Sequence, residues 1–343
     1  MKGALLVNIG SPASPRKKEV ASYLRRFLSD GCVMRMPWLI RKILVNCIIV
    51  PSRASHSASL YERIWDGESF PLIRNTEKLE RKVRERLRNS GHDTMVRTAM
   101  RYGSPSIKDT VKEMAAAGVT ELLLIPLYPH FAISTVVSTV NETKRALKRH
   151  KRVRLDIYPP FYDLPAYVDV MASRMREADG MTIFSFHGLP ISHMPCDGKC
   201  AEECNETKWR GCIDKKRHDD CYRLQCYEGA AAIASKAGID DYEVAFQSRL
   251  GHGMWLKPAL DDTMARLRDE NVKALSVVAP SFTADCLETL WEIDAQAREI
   301  FESSGGELHY IPCLNDDDRW CDALAGEIAS WSRKTTTDNT KTI

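Results

Sequence analysis

Apolar residues fall into two alternating patterns along this chain. Short runs rich in Val, Ile, Leu and Phe read as buried strands, and longer stretches with apolar positions every third or fourth residue read as amphipathic helices. In the first half the runs predict strands at Ala4–Asn8, Met95–Met100, Glu121–Leu127 and Val153–Tyr158. Helical spacing fills the intervals at Lys18–Leu28, Thr76–Leu87, Ser106–Ala117 and Val137–Arg149, with Gly91 and Gly118 where C-terminal caps belong. The second half repeats the arrangement. Its strands are Thr182–Phe186, Glu243–Gln247, Ala274–Ala279 and Leu308–Pro312, and its helices are Ala166–Ala178, Tyr227–Ala237, Lys257–Arg268, Asp285–Phe301 and Asp322–Trp331. Such alternation predicts parallel sheets with right-handed crossovers. The fold class is therefore α/β, with two lobes of four parallel strands flanked by helices, a repetition that suggests a distant internal duplication. The expected division is 1–160 for the first lobe and 161–318 for the second, which carries a cysteine-rich insertion at 194–226. A C-terminal helix at 319–333 and a polar, disordered tail at 334–343 complete the chain.

Composition and charge narrow this picture. A length of 343 residues allows each lobe its own core, and 44% hydrophobic with 28% charged residues is ordinary for a soluble globular protein. The net charge of +3 is too small and too evenly spread to argue for nucleic acid as a partner. Met1-Lys2 leads directly into a strand, so no export signal is expected, and no apolar run reaches the roughly 18 residues of a membrane span. A cytoplasmic location is the resulting expectation. Six of the eleven cysteines lie between Cys196 and Cys226, a density that favours metal binding over disulfides in a chain without an export signal.

Candidate chemistry gathers at the ends of the strands. The run Thr182–Phe186 stops at His187-Gly188-Leu189-Pro190, where Gly and Pro forbid further strand. That places a histidine at the C-terminal mouth of a central strand, the edge where open α/β sheets bind ligands. Other strands end in Asn8-Ile9-Gly10-Ser11-Pro12, Met100-Arg101-Tyr102-Gly103, Tyr128-Pro129-His130 and Phe246-Gln247-Ser248-Arg249, so one edge of both sheets should wall a cleft between the lobes. A second stretch, Ala284 to Asp294, predicts a helix with Asp285 as N-cap and Leu287, Leu290 and Trp291 on its buried side. Glu288 and Glu292 share one face by i, i+4 spacing, and their repulsion should raise one of the two pKa values.

Taken in order, His-Gly-Leu-Pro, then Phe-Gln-Ser-Arg with Trp255-Leu256-Lys257-Pro258, then Asp285-Cys286-Leu287-Glu288-Thr289-Leu290 resemble the motif series of ferrochelatases. The N-terminal half agrees at Leu6–Pro12, Phe27–Asp30, Tyr61–Trp65, Met100–Ile107 and Leu127–Pro129, so the resemblance runs from about Gly3 to Leu314. It implies two Rossmann-like lobes with the active site between them, and insertion of ferrous iron into protoporphyrin IX or coproporphyrin III for haem synthesis. His187 and Glu288 would face each other across the macrocycle and bind the entering Fe2+, with Glu292 continuing an acidic track. Which of the pair takes protons and which delivers iron is left open. Arg53, Tyr61 and Ser69 would meet the propionates, and Arg101 and Tyr102 would line the pocket; a solvated loop arginine is the alternative for Arg53. The residue types suit the chemistry. A porphyrin must lose two pyrrole protons, and imidazole and carboxylate can hand over iron without holding it tightly.

Two further expectations carry alternatives. Some microbial members of the family hold a 2Fe–2S cluster on cysteines of this internal region, and Cys204, Cys212, Cys221 and Cys226 are the expected ligands, with structural zinc as the alternative. Residues 34–45 mix apolar and cationic side chains, and read either as a lip over the porphyrin that touches lipid or as a partly buried core helix. Competing functions are a cobalt or nickel chelatase of another tetrapyrrole and a porphyrin carrier without turnover. Oligomeric state is left open.

Overall fold

The computed structural model describes residues 1–194, 220–249 and 254–333. Its frame is two parallel sheets of four strands. The first holds β1 (Lys2–Asn8), β2 (Thr94–Met100), β3 (Glu121–Pro126) and β4 (Arg154–Ile157), in the order β2-β1-β3-β4. The second holds β5 (Met181–His187), β6 (Tyr242–Gln247), β7 (Ala274–Val278) and β8 (Glu307–Ile311), in the order β6-β5-β7-β8. Renumbered from one, the second order equals the first, as expected of a repeated unit. In each sheet the first strand lies between the second and third, so the chain departs to opposite sides of it and leaves a crevice at its C-terminal end. Asn8 and His187 occupy those two ends.

The strands form where the sequence places them, because their apolar residues are buried on both faces. Ala4, Leu5, Leu6 and Val7 of β1 are fully buried, as are Ile183, Phe184 and Phe186 of β5. One apolar cluster runs through both lobes, joining Leu6, Leu79 and Ile125 to Phe184, Phe246 and Trp320. Trp320 belongs to the C-terminal Asp318–Arg333 helix, which returns to the first lobe. There Lys82 meets Asp316 at 2.9 Å and Trp331 Nε1 donates to Asp156 at 2.9 Å.

Several expectations need correction. Arg53 does not lie in a loop. Val50, Ala54, Ala58 and Tyr61 recur at helical spacing and bury one side of a Val50–Arg63 helix, leaving Arg53 exposed on the other. Residues 34–45 do not form a core helix either. Trp38, Leu39, Ile40 and Ile43 are each more than half exposed, and the Trp38–Ile43 helix buries no residue. The expected Asp285–Phe301 helix is broken into a short turn, Leu287–Leu290, a wide π-type turn, Glu292–Ala297, and a final turn, Arg298–Glu302. Asp285, Cys286, Thr289, Ile293, Ala297 and Phe301 are its buried residues, while Leu287, Leu290 and Trp291 are half-buried. The wide turn shifts the buried face relative to regular helical spacing. Among the expected cluster ligands, Cys204 and Cys212 lie outside the described residues. Among the described residues no helix is long and apolar enough to cross a membrane.

Candidate active site between the lobes

His187 ends β5 beside Gln247, the last residue of β6 and its register partner. The turn that follows is tight. Gly188 N–H donates to Gln247 O at 2.8 Å, and a Cβ on residue 188 would sit 2.6 Å from that oxygen, so only glycine fits. The next residues pair with Trp255-Leu256, where Leu256 N–H donates to Leu189 O at 3.0 Å. The backbone of His187 is held at both ends: its N–H donates to Ser281 Oγ at 3.1 Å and its carbonyl accepts from the Tyr222 hydroxyl at 2.9 Å. Its ring Nδ1 lies 2.7 Å from Gly188 O. A carbonyl oxygen can only accept, so the proton of the neutral ring resides on Nδ1 and the lone pair on Nε2.

The acidic turn is tied to the same strand edge. Ser185 Oγ donates to Gln247 Oε1 at 2.6 Å, and Gln247 Nε2 donates to the backbone carbonyl of Glu288 at 2.7 Å. Gln247 is buried, so both ends of its amide are satisfied by protein. Next to it, Ser248 adopts φ of 64°, unusual for a side-chain-bearing residue, and its hydroxyl donates to the Glu292 carboxylate. Burial, and then the Glu288 charge, push the Glu292 carboxyl up to about 7, against the downward pull of hydrogen bonds from Ser248 and Gln247. Repulsion within the pair thus acts as expected, with burial the larger cause.

Asp285 is not the N-cap. Cys286 takes that place, and the Asp285 carboxylate is a buried hub instead. It accepts from Tyr310 Oη at 2.6 Å, Thr289 Oγ1 at 3.2 Å, Cys313 N–H at 3.2 Å and Asn315 Nδ2 at 2.6 Å. Asn315 Oδ1 in turn accepts from Asn75 Nδ2 of the first lobe at 2.7 Å, so this hub also fixes the acidic turn across the lobe boundary.

Both lobes meet at this turn. Leu287 packs on the first lobe's aromatic cluster, which includes Tyr23, Tyr61, Phe70 and Tyr102. Burial and the Glu288 charge push the Tyr61 hydroxyl pKa well up, so Tyr61 and Glu288 act on the same space. On the other side Phe282 stands 6.2 Å from the His187 ring and packs with Leu72 and Met100 of the first lobe, beside Cys286. Tyr61, Glu288 and Glu292 thus act on one another, and Phe282 connects the His187 ring to the apolar cluster that holds Cys286. Ser69 is half-buried, its N–H donating to Asp66 at 2.8 Å, and Arg53 is exposed on the Val50–Arg63 helix that carries Tyr61. Arg101 and Tyr102 are engaged internally. Arg101 pairs with Asp30 at 2.5 Å and Tyr102 Oη donates to the same oxygen at 2.7 Å. Burial raises the Asp30 carboxyl, but hydrogen bonds from Ser138, Cys32 N–H and Tyr102, with the Arg101 charge, outweigh it and hold the pKa below the ordinary range. Asp30 had no assigned role in the sequence; its only signal was its place in Phe27–Asp30. Among the described residues no three His, Cys, Asp or Glu side chains are grouped so as to hold a metal ion.

Comparison with known proteins decides the family. The ferrochelatase family model matches residues 1–330. The chain belongs to the ferrochelatase family. A ferrochelatase of Stutzerimonas stutzeri is 38% identical over 331 residues, covering 93% of this chain and 95% of that protein. One from Pseudomonas fluorescens is 39% identical over 338 residues, with the same two coverages. Among solved structures, a multi-domain Deinococcus radiodurans protein described as structurally similar to chelatases aligns with 98% of this chain and 56% of its own, at a TM-score of 0.51 and 11% identity. That last likeness concerns the fold alone.

The raised Glu292 pKa has a measurable consequence in this ferrochelatase-family chain. Unfolded, the carboxyl titrates near 4.5, and folded near 7. Its stabilising contribution is therefore complete below pH 4.5 and is lost as pH rises through 7. Glu292→Gln removes this ionisation penalty. Urea unfolding should find the variant more stable than wild type at pH 8 by on the order of 3 kcal/mol, with the difference vanishing near pH 4.5. A difference independent of pH would contradict the assigned ionisation.

Proposed function

We propose that this chain inserts ferrous iron into a porphyrin, protoporphyrin IX or coproporphyrin III, as a lyase of haem synthesis. The observation that carries the reading is the Gln247 amide, which holds the backbone of Glu288 against the strand edge that ends in His187. His187 Nε2 offers a lone pair, and the Glu288/Glu292 pair offers one carboxylate and one carboxyl near its midpoint at neutral pH. Insertion releases two pyrrole protons per iron bound. His187 and Glu288 flank the entering Fe2+, and Glu292 accepts and releases protons along the acidic turn. Arg53, Tyr61 and Ser69 are the propionate contacts in this reading. Arg101 and Tyr102, held by Asp30, shape the wall. A carrier without turnover, or a chelatase for cobalt or nickel, would share the pocket, but a carrier has no use for an acidic pair of this kind.

Cys204, Cys212, Cys221 and Cys226 would hold the 2Fe–2S cluster of this reading, with structural zinc as the alternative. The described pair fits such a group. Cys221 precedes the Tyr222–Ala237 helix and Cys226 is buried within it, where burial pushes its thiol well up, so a bound metal would have to draw off that proton. A cluster would staple the insertion and respond to redox state; metallation of a porphyrin itself needs no electron transfer.

The protein is cytoplasmic in this reading and touches membrane through residues 34–45. Trp38, Leu39, Ile40 and Ile43 are exposed together, with the exposed cations Arg35 and Lys42 beside them. On anionic liposomes at low salt the protein should float, and Trp38→Ala with Ile40→Ser should leave it in the dense fraction. Failure of the wild type to float would remove the membrane contact.

Turnover tests the central proposal. Ferrous-dependent Soret changes should appear with one or both porphyrins. His187→Ala should lower kcat by about 100-fold or more, the scale of a lost positioned proton acceptor. Full turnover in that variant would overturn the reading.

A further inference from the structure

Four donors meet on the Asp30 carboxylate. Oδ1 accepts from Cys32 N–H at 2.8 Å, and Oδ2 accepts from Arg101 Nη2 at 2.5 Å, Tyr102 Oη at 2.7 Å and Ser138 Oγ at 2.5 Å. The Asp30 and Arg101 side chains are only 10% and 14% exposed, so water and salt screen this pair poorly. Among the described residues no other carboxylate pairs with Arg101. The guanidinium is also held a second way. Its Nε donates to Ser138 Oγ at 2.7 Å, and that hydroxyl donates to Asp30, so Arg101 cannot turn towards the cleft without breaking both links.

The backbone says where this cation stands. Arg101 N–H donates to Asn8 O at 2.8 Å, at the C-terminal end of β1, the place that His187 holds on β5. Its guanidinium lies over the Tyr102 ring, 4.4 Å from the centre, and Tyr102 belongs to the aromatic cluster on which Leu287 packs. The charge is thus set behind a wall that touches the residue preceding Glu288. A bare cation there would repel ferrous iron and attract the propionates of a porphyrin, through surroundings that carry the effect further than water does.

We propose that Asp30 is a positioning residue that cancels the Arg101 charge, and so keeps the first-lobe wall neutral towards both the metal and the porphyrin. The proposal rests on the ferrochelatase reading above and assigns, within it, the balance between the two substrates.

The test uses the full chain and reads the two substrates separately. In Asp30→Asn the KM for ferrous iron should rise about tenfold, the scale of one uncompensated charge in a partly buried site. The KM for porphyrin should fall in the same variant. Arg101→Met leaves the anion instead, and should move both constants in the opposite directions, which keeps the proposal open to test even where Asp30→Asn does not fold. Asp30→Asn with Arg101→Met restores neutrality and should move both constants back towards wild type. A second readout needs no turnover. By fluorescence without metal, Asp30→Asn should bind protoporphyrin IX more tightly than wild type does, while protoporphyrin dimethyl ester, whose carboxylates are masked, should bind the two proteins alike. A wild-type protein that neither binds nor metallates porphyrin overturns the ferrochelatase reading and this proposal together. An active wild type whose single variants shift both constants the same way, or shift the ester as much as the free acid, overturns this proposal alone.

Discussion

One buried amide organises this protein. Gln247 accepts from Ser185 on β5 and donates to the carbonyl of Glu288, so a side chain at the end of one strand fixes the position of a turn forty-one residues further on. The interaction is demanding because Gln247 has no access to water: a lost partner leaves a buried polar group unsatisfied, at about 1–3 kcal/mol. Parallel pairing sets His187 opposite Gln247, so the amide specifies the imidazole and the acidic turn together. Asp285 secures the far side of that turn through Tyr310, Cys313 and Asn315. The result is an acidic segment anchored at both ends on a sheet edge, although its own helical geometry is interrupted by a wide turn.

The two lobes contribute differently. The second carries His187, Glu288 and Glu292, the groups proposed to exchange protons and metal. The first supplies aromatic walls and a charge network, Asp30 with Arg101, Tyr102 and Ser138, that is satisfied within itself. A porphyrin needs both: a flat apolar surface to lie on and a few polar groups at its centre and edge. Because one core cluster spans the lobes and the Asp318–Arg333 helix returns to the first, the walls and the acidic turn are parts of one packed structure.

Strand positions were legible because their signal is local: buried parallel strands such as Leu5–Val7 are apolar throughout, and Ile183–Phe186 is apolar but for Ser185, whose hydroxyl is bonded to Gln247. His187 was legible for a related reason, since Gly188 and Pro190 mark the strand end and Gly188 is required by the approach of Gln247 O. What escaped depends on contacts distant in sequence. Asp285 looks like a cap beside a helical pattern, and only Tyr310, Cys313 and Asn315 make it a hub. Arg101 reads as a pocket-lining residue, and nothing local announces that Asp30, seventy-one residues away, pairs with it. The Val50–Arg63 helix was missed because Ser, His and Arg dilute its apolar stripe to Val50, Ala54, Ala58 and Tyr61. The break at Trp291 has no local marker: neither Gly nor Pro interrupts the segment.

Central to the account is that the His187 imidazole and the Glu288 carboxylate face a common metal position. Anomalous scattering at the iron edge from crystals soaked with ferrous iron under anaerobic conditions tests this most directly. The account predicts an iron peak within bonding distance of His187 Nε2 and a Glu288 carboxylate oxygen. Iron bound elsewhere, with His187 and Glu288 opening onto separate cavities, would contradict it.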